Sequence, residues 1–498
     1  MIIARSKLMQ ISPVTISFIA SLVLSFIAVQ NHLINRDGIL YLELAHLVQI
    51  DGLSALRGDN SWLHQWPFFS VVIALSGKLT GLSLETMAQL LNALFMAGSC
   101  ALIVEITRHR WPEASWAACL AVLAMPAFNE YRSDILREHG FWFFSILALW
   151  LAIRWDQSPS WRHALLCQFA ILIAALFRLE ALAFYAALVG WQSFAAPTGH
   201  KLRRIFMLVC LPLAGTAILF ITYGIGAIEL PSRSIYYLEA ANPFNKLREL
   251  DRIGKQISDA GFFTYKYSRE EAGYILFFGL LSVIPVKFVQ MSGVLLIPLL
   301  YQLSLQPLKR TISDWQPMAW AFVIYAAILA AFITHMFFLT GRYVSLLNLL
   351  AVPLVAAGLA GLMARFKRWR ILVYLLLFIT MASNVISTSN NKGHILEAGE
   401  WLAANVNETA RVYIENPRVA YYSGLGQRNA GKPGNDRHAI TQLLAENRYD
   451  FVVLDKDKSD ATLDEWFKEN RMIIINSYMN KKGDSIVIAV PTAPDGRN

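Results

Sequence analysis

Long apolar runs recur along the first three quarters of this chain, and short clusters of Lys and Arg punctuate them. The runs lie at 11–30, 86–106, 112–128, 138–153, 163–178, 180–196, 204–223, 273–306, 317–338, 343–363 and 370–387. A helix needs roughly 20 apolar residues to cross a bilayer, and within lipid only helices and closed barrels satisfy every backbone polar group. Runs of this length and number exclude an ordinary soluble domain. Composition agrees: of 498 residues, 56% are hydrophobic and 16% charged, and mean hydropathy is +0.43. The net charge of +9 sits largely in loops between the runs, where it reports topology and not a nucleic-acid partner. Cys100, Cys119, Cys167 and Cys210 lie in or beside apolar runs at no metal-ligand spacing. They read as small buried hydrophobes.

The basic clusters are Arg5/Lys7, Arg108/Arg110, Arg154/Arg162, Lys201/Arg203/Arg204, Lys309/Arg310 and Arg365/Lys367/Arg368/Arg370. The positive-inside rule assigns all of them to the cytoplasm, so each interval between clusters crosses out and back. The expected class is a polytopic α-helical membrane protein of about 11 or more spans. An odd count leaves a small C-terminal α/β domain outside. The N-terminal run resembles a signal peptide, but no small-residue cleavage site precedes Gln30, so a retained first span is expected. The stretch 66–81 is broken by Gly77 and Lys78 and reads as an interfacial or re-entrant helix. The interval 273–306 is long enough for a hairpin, yet parity asks it for an odd number of crossings.

Two domains follow. Residues 1–388 form the membrane domain, with outer loops at 31–85 and 224–272. Residues 389–498 form the soluble extracytoplasmic domain, where helix-period and strand-period segments alternate in the order αβαβαββ. No Gly-rich phosphate loop or metal cluster marks this tail, and the sequon at 407–409 is a weak signal.

Ionisable residues at span ends are costly unless they pair or line a wet cavity. Several map to the outer face. Asp37 follows the first crossing, beside Arg36. Asp134, Arg137 and Glu138 precede the fourth span. Arg178 and Glu180 occupy the turn "FRLEAL". Arg342 and Tyr343 open a late span, and Lys266 and Arg269 lie in the long outer loop. That convergence predicts one site.

The order of these motifs resembles the GT-C glycosyltransferase superfamily, in particular the branch containing protein O-mannosyltransferases and the bacterial lipid A aminoarabinose transferase. The matching stretches are "RDGILYLELA", "HQWPFFSVVIALSGKLTG", "REHGFWFFSILALWLAIR", "FRLEAL", "GRYVSLLNLLAVPLVAAGLAGL" and, in the tail, "GEWLAANVNETARVYIENPRVAYYSG". Many relatives carry two adjacent acids at the first site; here Asp37 is followed by Gly38. The resemblance implies an enzyme of the bacterial inner membrane, with its C-terminal domain periplasmic. It would move a sugar from a polyprenyl-phosphate donor to an acceptor hydroxyl or phosphate on a glycan, lipid or protein. Membrane lipids are its further partners, and no nucleic acid is expected.

Such a reaction needs a general base near the attacking hydroxyl and positive charge near the leaving phosphate. The resemblance makes Asp37 the base, against the alternative of a helix cap or a pair with Arg36. Glu138 is the second acid, orienting the acceptor or holding a divalent cation, against a structural pair with Arg137 or Arg132. Arg342 is the leading phosphate ligand, since a guanidinium meets phosphate oxygens two at a time; snorkelling to headgroups is its alternative. Arg178, Lys266 and Arg269 are further phosphate ligands, although Arg178 and Glu180 would also pair with each other. Asp134, Tyr41, Glu180 and Tyr343 complete the surroundings. Asp134 shares a face with Glu138 if the helix begins early. No metal ligand set is defined. The competing readings are a lipid or polysaccharide transporter, a polysaccharide ligase or polymerase using the same donor class, and an assembly partner.

Overall fold

Apolar runs in lipid close their backbone hydrogen bonds within the segment, and the expected runs are helical in the structure. The computed structural model describes residues 12–30, 33–57, 67–225, 243–386, 393–407, 409–426, 437–446, 448–460 and 462–492. Several sequence expectations fall wholly or partly outside these: the Arg5/Lys7 cluster, parts of the 31–85 and 224–272 loops, the start of the 66–81 stretch, and the exact domain boundary at 388. Glu408 of the sequon also lies outside them.

Among the described residues, seven helices are long and apolar enough to cross a membrane: Arg36–Leu56, Leu84–Arg110, Thr198–Tyr223, Ala272–Leu305, Met318–Met336, Gly341–Arg365 and Lys367–Val385. Shorter apolar helices occupy Pro13–Val29, Phe68–Thr80, Pro112–Ala124 and Trp161–Phe177. The chain is thus a multi-pass helical membrane protein with a small sheet near its C-terminus. Several sequence expectations are refined. Residues 36–56, expected in an outer loop, qualify as a span by length and composition. The run 112–128 is not one helix: it breaks at Met125, which is extended (φ −63°, ψ 117°) ahead of Pro126. Proline disfavours helical backbone in the residue before it. The interval 272–305 counts as one candidate span by length and composition and is built of two helices, Ala272–Ser292 and Leu296–Leu305, that meet at Gly293 (φ 53°). Phe68–Thr80 is a 13-residue helix ended by left-handed Gly81 (φ 73°), whose N–H donates to Gly77 O. At about 1.5 Å per residue it falls short of the ~30 Å hydrocarbon core.

Contacts divide the chain into two compact units. The first comprises Met1–Ile27, Leu90–Arg132 and Arg137–Val385. The second comprises Ala28–Gln89, Ser133–Leu136 and Ile386–Asn498, so it holds the Asp37 helix as well as the tail.

In the first unit the Gly341–Arg365 helix runs through the interior. It packs on the helices Ser115–Ala124, Ala272–Ser292, Leu296–Leu305 and Met318–Met336. Gly358 permits a close crossing, since a Cβ there would clash with Pro298 O. Buried Asn348 donates to Phe288 O and Ser292 Oγ, tying two apolar helices by a polar link.

In the second unit four strands, β1 (Val412–Ile414), β2 (Phe451–Lys456), β3 (Met472–Met479) and β4 (Ser485–Pro491), form a sheet in the order β1-β2-β4-β3. The β1–β2 pair is parallel and the other two pairs are antiparallel. Alternation along β2 sends Val453 to one core, with Ile395, Leu402 and Val419, and Val452 and Leu454 to another, with Leu463 and Phe467. That is the two-residue period of a strand covered on both faces. The expected elements are all present. One more helix, Pro417–Tyr422, follows β1, capped by Asn416, whose side chain accepts from Arg418 N. Asn at the cap with Pro behind it is a start signal legible in "ENPRVAYY".

Candidate functional site

The first unit gathers five of the expected residues. Glu138 opens the Glu138–Gln157 helix, and Arg178 ends the Trp161–Phe177 helix in extended backbone (φ −151°, ψ 123°), ahead of the single turn Leu179–Leu182. These two helices pack on each other through a glycine: a Cβ at Gly140 would meet the Phe177 ring at 2.5 Å. The close approach brings Arg178 Nη1 to 2.7 Å from Glu138 Oε1. The same guanidinium donates through Nη2 to Glu180 Oε1 at 2.6 Å and through Nε to Oε2 at 3.4 Å. Arg342 Nε lies 3.5 Å from Glu138 Oε1.

Tyr343 lies beside both cations. The Arg178 guanidinium carbon is 4.4 Å from its ring centre and that of Arg342 is 5.2 Å. Each position allows attraction by the ring's negative face. Tyr325 donates to Tyr343 O at 2.9 Å and is itself buried. Sequence reasoning missed Tyr325, because a tyrosine in an apolar run carries no signal until its partner is known.

Burial separates the two arginines. The Arg178 side chain is 7% exposed and engaged by two carboxylates, whereas that of Arg342 is 23% exposed. Glu138 pairs with these two arginines, not with Arg132. Buried Arg132 instead donates to Ser21 O, Ser21 Oγ, Ser25 Oγ and Asn129 Oδ1 at 2.8–3.1 Å.

The remaining candidates have other surroundings. Lys266 is exposed and pairs with Glu270 at 3.8 Å, one helical turn away, and Arg269 Nε donates to Phe263 O. Neither contact reaches the Glu138 group. Asp37, Tyr41 and Asp134 belong to the second unit. Asp37 lies in the first turn of Arg36–Asp51 and is half-buried, and Tyr41 is buried edge-on against Phe69. Asp134 does not share a helical face with Glu138. The helix begins at Glu138, and Asp134 occupies a bend followed by two non-helical residues.

The segment bearing Asp134 is clamped to the Asp37 helix. Asn35 Oδ1 accepts from Ile135 N at 2.9 Å, and Asn35 Nδ2 donates to Ile135 O at 3.3 Å. This clamp explains Gly38. A Cβ there would fall 2.6 Å from Asn35 Oδ1 and 2.9 Å from Ile135 Cβ, so a second acid beside Asp37 has no room. Among the described residues, no group of three or more His, Cys, Asp or Glu side chains is placed to hold a metal ion.

No family model and no curated protein matches the chain. Among solved structures it is similar to ArnT from Cupriavidus metallidurans in the apo state, at 15% identity and TM-score 0.44, over 95% of this chain and 97% of that one. It is also similar to ArnT from the same organism bound to undecaprenyl phosphate, at 15% identity and TM-score 0.45, over 97% and 98%. A third similarity is to the arabinofuranosyltransferase AftD from Mycobacteria, at 13% identity and TM-score 0.47, over 97% of this chain and 42% of that one.

Proposed function

We propose that the chain is a GT-C-type glycosyltransferase of the bacterial inner membrane. It transfers a sugar from a polyprenyl phosphate to an acceptor on the outer face, where its C-terminal domain lies. The observation that carries this reading is the arginine pair anchored on buried Glu138 and shared by Tyr343. Two guanidiniums preset by carboxylates suit a leaving phosphate, because their orientation is established before charge develops.

The partial exposure of Arg342 makes it the phosphate ligand. Arg178, engaged by Glu138 and Glu180, and Glu138 itself act as positioning residues. The acceptor hydroxyl attacks the anomeric carbon. The bond from that carbon to the phosphate oxygen breaks, the phosphate leaves with the electron pair, and Asp37 takes the acceptor proton. A base in this role is worth about 10²–10⁴ in rate.

The test is turnover by purified protein in nanodiscs on a panel of polyprenyl-phosphate sugars, read as released polyprenyl phosphate, with thermal shift reporting donor binding. Wild type turns over one donor. Asp37→Asn binds it without turnover, and Arg342→Ala binds it weakly. A folded wild type that binds no donor removes the transferase reading and leaves a transporter or an assembly partner. Full activity in Asp37→Asn removes the base assignment alone.

A further inference from the structure

The second unit contains a cavity of about 460 Å³ that the reaction as described does not use. Its volume lies within the roughly 300–1,000 Å³ usual for small-molecule sites. Its wall includes Arg36, His394, Asn416, Arg418, Asp455 and Lys482, and among the described residues no Phe, Tyr or Trp. Other charged groups on the wall are already engaged. Lys456 Nζ is held by Asp464 at 2.7 Å, Asp457 accepts from Ser459 N and Oγ, and Asp484 accepts from Lys458 N and Asn480 Nδ2.

The first group differs. Among the described residues, no ion pair joins Arg36, Arg418 or Lys482 to an acid. Three wall residues also retain a buried polar atom without a hydrogen-bond partner: Arg418 Nε, Asp455 Oδ1 and His394 Nδ1. Buried polar groups are nearly always satisfied, and each exception asks for an explanation. Asp455 Oδ2 accepts from Asn416 Nδ2 at 2.9 Å, so its carboxyl is fixed in place with one oxygen unused.

We propose that this cavity binds an anionic saccharide or polyol, its phosphate or carboxylate held by Arg418 and Arg36 and its hydroxyls by Asp455 and His394. Guanidiniums recognise oxyanions through paired N–H groups. A carboxylate and an imidazole on the wall of one cavity match sugar hydroxyls, which both donate and accept. Without a Phe, Tyr or Trp on the wall, a neutral sugar has no broad ring to stack on. Arg36 immediately precedes Asp37, so the ligand is the acceptor or its terminal residue; this assignment of role rests on the transferase reading above. Burial and Glu415 push the Asp455 carboxyl up to about 6, the condition of a group whose charge is incompletely compensated.

The experiment is saturation-transfer NMR on the full chain in nanodiscs with glycerol 1-phosphate, glucose 6-phosphate, glucuronate and glucose, in parallel with the turnover assay. Anionic ligands bind and glucose does not, and the phosphates compared with glucuronate identify which oxyanion the site prefers. Arg418→Gln weakens binding about 10-fold or more, His394→Asn weakens it less, and Arg342→Ala leaves it unchanged. Thermal unfolding checks that each variant is folded. The proposal is overturned if no anionic ligand binds, if glucose binds equally well, or if binding disappears in Arg342→Ala and persists in Arg418→Gln. Turnover without cavity binding removes this site and keeps the transferase. Cavity binding without turnover on any donor keeps the site and removes the transferase.

Discussion

Two carboxylates, Glu138 in the first unit and Asp455 in the second, are set among arginines in opposite ways. Glu138 meets Arg178 at 2.7 Å and Arg342 at 3.5 Å, and Arg178 is held a second time by Glu180. Asp455 meets an amide, Asn416, while Arg36 and Arg418 act on it only through space. In a low-dielectric setting, direct pairing offsets the loss of hydration and fixes geometry. Incomplete pairing leaves a group that a ligand can satisfy. The first arrangement suits a site whose charge must be in place before the substrate arrives. The second suits a site completed by what it binds.

The largest expected effect comes from breaking the direct pair. Glu138→Gln leaves Arg178 and Arg342 without their shared acid and lowers stability by about 3–5 kcal/mol, read as thermal unfolding in nanodiscs. An unchanged midpoint would show that the pair does not hold the helices together. Next is Gly38→Ala, where the added methyl meets Asn35 and Ile135. Overpacking of this kind costs about 1–3 kcal/mol, and the same unfolding measurement detects it.

Asp455→Asn should act in the reverse direction. The folded carboxyl titrates near 6 and the unfolded one near 3.8. The folded state therefore binds the extra proton between those values, and stability is lost as pH rises through that window. The asparagine variant escapes the loss. It should be more stable than wild type at about pH 7 by on the order of 2 kcal/mol, with little difference at about pH 3. Equal pH profiles for the two proteins would mean Asp455 is fully compensated in the fold. The smallest effect belongs to Lys266→Ala, whose side chain is 84% exposed and, among the described residues, pairs with a helical neighbour. Its turnover should stay within about twofold of wild type, since exposed pairs of this kind contribute little. A loss comparable with that of Arg342→Ala would bring Lys266 into the phosphate site.

Much of the architecture was legible in advance. The runs at 86–106, 204–223, 317–338 and 343–363 became the helices Leu84–Arg110, Lys201–Gly224, Met318–Met336 and Gly341–Arg365. "YDFVVLDK" and "DSIVIAV" became β2 and β4. Local pattern suffices in these cases, because hydrophobic length and period decide the element directly. It failed where one local rule overrode another, as at Met125 before Pro126. It also failed where charged residues on the Arg36–Asp51 helix hid a segment that is apolar on average.

The sequence by itself determined which segments are helices or strands and which residue types stand at the span ends. It determined the turn at Arg178 and the opening of a helix at Arg342, since these follow from short-range chemistry. Only the tertiary structure decided which charges meet. Glu138 found Arg178 forty residues away and Arg342 farther still, while nearby Arg132 was taken up by serines of the first helix. Only there do Tyr325 behind Tyr343, the contact that requires Gly38, and the cavity beside Arg418 become visible. Pairing energies depend on distance and burial in space, and neither quantity is written in the order of residues along the chain.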